Sequence, residues 1–175
     1  DKWVRIAGSL AYAFSTYNIT LIEGGHETKM WALAYVPMVI AGLLVMYRGK
    51  YWTGIPLLGI PMALLMWTSH YQIMYYAIFI IIGLVITLFV QAMKEKQLKT
   101  FFIASAVSLL TAAVSIGPNL QIFLSTLEYN KTTMRGGESE LTINHDADKK
   151  TGGLDKDYAF GWSNAWGESF TVLVP

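Results

Sequence analysis

Glu23, His26, Glu27 and Lys29 fall within one short stretch, "LIEGGHETKMW" (residues 21–31), flanked on both sides by long apolar segments. A base that switches near neutral pH, a carboxylate and an ammonium within four residues can orient a phosphate or a sugar hydroxyl. The same residues also suit a plain solvated turn, with Gly24 and Gly25 reversing the chain. A second group, "TSHYQIMYY" (68–76), places His70 and Gln72 beside Tyr71, Tyr75 and Tyr76. Tyrosines there are expected of an interfacial aromatic belt, whereas a histidine at that depth serves either substrate contact or a helix-to-helix hydrogen bond. A third, "SIGPNLQ" (115–121), breaks a helical ladder at Gly117-Pro118 and supplies Asn119 and Gln121 to mend it or to face a cavity. The fourth, "TTMRGGESEL" (132–141), carries Arg135, either a bidentate anion clamp or a partner of Glu138 and Glu140.

No hydrolase, kinase or nucleotide-binding signature accompanies these groups, and the paired glycines at 24–25, 136–137 and 152–153 fit neither phosphate-loop nor dinucleotide patterns. Cysteine is absent, and His26, His70 and His145 lie too far apart in sequence for zinc-type spacing, so no metal site is expected. The cofactor is unknown at this level.

The elements that must position these residues are membrane spans. Of 175 residues 54% are hydrophobic and 14% charged, and the mean hydropathy is +0.40, which makes a bilayer the expected solvent. The net charge of +1 gives no reason to expect a nucleic-acid partner; membrane lipid is the expected one. Hydrocarbon about 30 Å thick takes roughly 20 apolar helical residues. Runs of that kind predict five transmembrane helices, at about 4–22, 30–47, 51–68, 73–93 and 101–127. Pro56 and Pro61 predict a kink in the third. The fold class expected is thus an all-α integral membrane protein, with a helical bundle over 1–127 and a polar extracytoplasmic loop region over 128–175.

Lys2, Arg5, Arg48, Lys50, Lys94, Lys96 and Lys99 fall on one side when the links are numbered alternately, against Lys29 alone in the short links of the other. The positive-inside rule makes the first side cytoplasmic and puts 23–29, 68–72 and 128–175 outside. The ends "DKWVR" and "FTVLVP" read as those of an internal fragment.

Taken in order, "AFSTYNITLIEGGHETKMWALAYVPMVIAG", "RGKYW", "SHYQIMYY", "KEKQLK", "TMRGGESELT" and "GLDKDYAFGWS" resemble the YfhO-like bacterial membrane proteins, in the form found in Bacteroidetes-type sequences. The resemblance spans nearly the whole chain. It implies an early internal part of a longer polytopic protein of the bacterial inner membrane, similar to the C-type glycosyltransferases (GT-C fold). Such enzymes take a sugar from a polyprenyl-phosphate donor on the extracytoplasmic face and pass it to an envelope polymer, glycolipid or protein acceptor, with a catalytic carboxylate in a first outer loop that the resemblance implies to lie outside this chain. On that logic His26, Glu27, Lys29, His70, Gln72 and Arg135 are expected to bind substrate or the carrier phosphate, and the catalytic residues are unknown. Two other readings compete. A transporter or flippase would also use broken helices, although the spans are nearly free of charge at their centres. A noncatalytic scaffold would use the loop from Glu128 onward as a docking surface.

Overall fold

The computed structural model describes residues 1–130 and 160–161, and all regular structure among them is helical. Two compact units divide the chain, Asp1–Leu120 and Gln121–Pro175. The first contains α1 (Lys2–Ala13), α2 (Thr16–Glu23), α3 (Glu27–Tyr47), α4 (Tyr51–Trp67), α5 (Tyr71–Lys94) and α6 (Leu98–Ile116), closed by a 3-10 turn (Gly117–Asn119). The second is represented by α7 (Leu120–Asn130) and the pair 160–161.

Three helical runs among the described residues are long and apolar enough to cross a membrane: Glu27–Tyr47, Tyr71–Lys94 and Leu98–Asn130. α4 is equally apolar but has 17 residues. The segment expected as one span over 4–22 is two helices, α1 and α2. Ser15 adopts extended backbone (φ −61°, ψ 142°), and the Asn18 amide donates to the carbonyls of Tyr12 (2.9 Å) and Ala13 (3.4 Å). Asn18 thereby satisfies acceptors that the end of α1 leaves open, and the break follows from a polar side chain competing with the helical ladder.

The four links between α2 and α6 share one construction. Gly25 (φ 69°), Gly49 (φ 75°), Ser69 (φ 54°) and Lys96 (φ 57°) each take the left-handed conformation one residue past a helix C-cap. In three links the following N–H closes a Schellman motif: His26 N–H to Leu21 O (2.9 Å), Lys50 N–H to Val45 O (3.3 Å) and Gln97 N–H to Ala92 O (2.8 Å). The fourth is closed by a side chain. Thr68, buried, donates its hydroxyl to Leu65 O (2.7 Å) and accepts from His70 N–H (3.4 Å). The closing residue is in every case also the N-cap of the next helix, so each reversal is only three residues long.

α3 and α4 form the closest pair, antiparallel, and glycine makes the approach possible. A Cβ on Gly42 would fall 2.5 Å from Leu58 N and 2.6 Å from Leu57 O, and one on Gly54 would fall 2.5 Å from Met46 Sδ. Met46 and Pro61 are fully buried at this seam. The three prolines inside helices each free one carbonyl. Pro37 frees Leu33 O, which accepts from Tyr12 Oη of α1 at 2.7 Å. Pro61 frees Leu57 O, the group against which Gly42 packs. Pro56 frees Trp52 O near the start of α4, where Trp52 is almost fully exposed.

α6 covers α4 with a stripe of buried Ala104, Ser108, Thr111 and Ser115, continued by Asn119. Hydroxyls can be buried because they bond back to their own helix: Thr111 to Val107 O (2.8 Å) and Ser115 to Thr111 O (2.7 Å). Ser108 Oγ is buried with no partner. Asn119 donates to Ala63 O (2.9 Å), so at this residue the proline-broken turn serves helix packing. α5 is the least enclosed of the long helices, with 11% of its most apolar window buried.

Candidate functional site

The antiparallel course of α3 and α4 and the return of α5 bring the links 24–26 and 68–70 to one end of the first unit. Stacking of Trp31 on Trp67 (centroids 5.4 Å apart, planes 11° from parallel) ties that end together, as does burial of Ala32, Leu65 and Ile73 in one cluster. The links 48–50 and 95–97 lie at the other end, so Arg48, Lys50, Lys94 and Lys96 are separated from His26 and His70 by the length of the bundle.

His26 and His70 hold equivalent positions: each closes a reversal and is the N-cap of the helix that follows. Neither side chain caps its own helix, and in α5 the Ile73 N–H turns back to His70 O at 3.1 Å. His26 is exposed. His70 is half-buried, and its Nδ1 is buried with no hydrogen-bond partner.

The remaining expected residues divide. Glu27 opens α3 and is exposed. Lys29, two residues on, points to another side of the helix, where its Nζ stands 5.6 Å from the ring centre of Tyr17 on α2. Gln72 is exposed, and its amide donates to Tyr76 Oη at 3.1 Å. Arg135 lies outside the described residues. His26 and His70 are therefore brought to one end, while Glu27 and Lys29 diverge around α3.

Three contributors carried no usable signal in the sequence. Thr68 looks like a residue ending a span, yet its hydroxyl completes the turn that sets His70. Trp31 and Trp67 are far apart along the chain and meet only because α3 and α4 are antiparallel. At the opposite end, a cleft between α3, α5 and α6 includes Arg48, Gln91 and Glu95, and the run "KEKQLK" marked only a basic link. Among the described residues no three His, Asp or Glu side chains converge in the manner of a metal site.

Chemically, the His26–His70 end offers two imidazoles, two helix N-termini and a stacked indole pair. Comparison with protein-family models, curated proteins and solved structures returns no match for this chain.

Proposed function

We propose that the chain is part of a bacterial inner-membrane glycosyltransferase whose five spans, 4–22 counted as one despite its break, place the His26–His70 end on the extracytoplasmic face. The donor is a polyprenyl-phosphate sugar and the acceptor an envelope polymer, glycolipid or protein. In the reaction the acceptor hydroxyl oxygen bonds to the anomeric carbon as the bond from that carbon to the carrier phosphate breaks. The hydroxyl proton passes to a carboxylate base, and the departing phosphate takes the electron pair.

The observation that carries this reading is the pairing of His26 and His70 at equivalent N-cap positions of α3 and α5 on one end of the bundle. Two helix N-termini direct their positive dipole ends toward an anion, and the imidazole beside each offers a ring nitrogen as a further hydrogen-bonding group. Trp31 and Trp67 provide an aromatic surface of the kind sugars pack against. Glu27, Gln72 and Arg135 are assigned to the same binding set, whereas Lys29, turned to the Tyr17 ring, meets substrate from the other side of α3.

The test is single replacement of His26, Glu27, His70 and Arg135 in the full-length protein, with transfer measured from a polyprenyl-phosphate sugar. Loss of one stabilising donor to the transition state is expected to slow transfer by about 10²–10³-fold. Wild-type rates in all four variants would refute the assignment.

A further inference from the structure

At the end of the bundle opposite His26 and His70, a cleft of about 470 Å³ opens where α3 and α5 end and α6 begins. All three helices belong to the runs long and apolar enough to cross a membrane, so the cleft lies at the depth where spans meet lipid headgroups. Its lining is sorted by depth. On each segment the apolar residue stands at least one helical turn further into the bundle than the polar one: Leu44 against Arg48, Leu88 against Glu95, and Phe101 against Gln97. The apolar floor is fixed in place. Phe101 is buried and packs on Tyr47 (centroids 5.2 Å) and Phe89 (5.3 Å), and Tyr47 shares a 2.8 Å hydrogen bond with Ser105.

The polar end of the cleft carries one cation and one acid, and they do not pair with each other. The Arg48 guanidinium makes no hydrogen bond or ion pair with any described residue. Glu95 accepts from Gln91 Nε2 through Oε1 at 2.8 Å, and its Oε2 has no partner among the described residues. The guanidinium can only donate and the carboxylate can only accept. An anion alone would answer Arg48 and be repelled by Glu95, and a cation alone would do the reverse. The ligand that answers both is a zwitterion, and the depth order gives it an apolar portion on the hydrocarbon side.

We propose that this cleft seats the headgroup of a zwitterionic aminophospholipid of the phosphatidylethanolamine type. Its phosphate lies against Arg48 and Thr100, its ammonium against Glu95, and the start of one acyl chain against Leu44, Leu88 and Phe101. The site is separate from the His26–His70 end and does not depend on the transferase reading.

The experiment is native mass spectrometry of the full-length protein, delipidated and then exposed to equal phosphatidylethanolamine, phosphatidylcholine and phosphatidylglycerol. Phosphatidylcholine keeps the positive charge but presents no N–H to Glu95, and phosphatidylglycerol has no ammonium. Wild type should retain phosphatidylethanolamine by about fivefold over each, the most that one exposed ion pair supplies. Glu95→Gln should abolish the preference over phosphatidylglycerol, and Arg48→Gln should lower retention of all three lipids. Lys94→Gln, which removes a cation outside the cleft lining, should leave the wild-type order unchanged. Both tested side chains are exposed, so the variants are expected to fold, and circular dichroism checks it. Preferential retention of phosphatidylglycerol by wild type, or an order untouched by Glu95→Gln, would overturn the site. Displacement of the lipid by millimolar phosphoethanolamine would overturn the lipid as occupant.

Discussion

Replacement of Gly42 by alanine tests whether the α3–α4 seam is set by backbone approach. The added Cβ would sit 2.5 Å from Leu58 N and 2.6 Å from Leu57 C and O, all backbone atoms that cannot rotate aside. Ordinary contact begins at 3.4 Å, so the helices must part locally by about 0.9 Å. Leu43, Met46 and Leu58, each under 10% exposed, lie at that seam, and a gap of 0.5–1 Å forfeits about a quarter to a half of each dispersion contact. Overpacking of this kind costs about 1–3 kcal/mol, partly offset by alanine's helical advantage over glycine of about 1 kcal/mol. The expected net loss is up to about 2 kcal/mol. Gly83→Ala is the control, because nothing lies within 4 Å of its Cβ position, and it should be neutral or stabilising. Gly54→Ala should fall between them, since its nearest obstacle is the flexible end of Met46. Unfolding in mixed micelles titrated with SDS, followed by circular dichroism, gives the order. Equal stability of Gly42→Ala and Gly83→Ala would refute the close-approach argument.

Tyr12→Phe removes the donor to the Leu33 carbonyl that Pro37 leaves free, and should cost about 1 kcal/mol. In a Pro37→Ala background the same change should cost much less, so a double-mutant cycle that shows no coupling would break the link between the two residues. Thr68→Val deletes the hydroxyl that closes the α4–α5 reversal and leaves Leu65 O and His70 N–H without it; a loss of about 1–2 kcal/mol is expected, and Thr68→Ser should recover most of it. Asn119→Leu keeps volume but removes the bond to Ala63 O, and should lower stability by about 1 kcal/mol in the same micelle titration.

Much of the helical layout was legible because hydrocarbon permits few alternatives. Charge-free runs bounded by Arg48, Lys50 and Lys94 read as helices, and the segments expected at 30–47 and 73–93 correspond to α3 and α5. The turn at Gly24-Gly25 was legible for the same local reason, as only glycine enters the left-handed region without cost. The break at Phe14–Ser15 was hidden because Asn18 reads equally as a diluting polar residue or as a cap, and the difference depends on where its amide points. Ser69 and Lys96 take positive φ although neither residue type announces it. Of the candidate site, the histidines could be named from the sequence, but their equivalence could not: it arises from two turns built alike, one of them closed by a threonine hydroxyl. The packing of Gly42 on the carbonyl freed by Pro61 was likewise invisible, since the partners are joined only by the hairpin.

The three-residue reversals also determine what the chain can tolerate in length. With C-cap, left-handed residue and N-cap all accounted for, no position in a link is spare. One inserted residue, if taken into the following helix, would rotate it by about 100° and advance it by 1.5 Å. At Gly49 that would turn Gly54 away from Met46 and present a larger side chain to a seam with no room for one. Descendants of this sequence should therefore vary by substitution within 24–97 and hardly at all by gaps there, and an artificial tag or loop grafted into any of these turns should dismantle the hairpin it was meant to decorate.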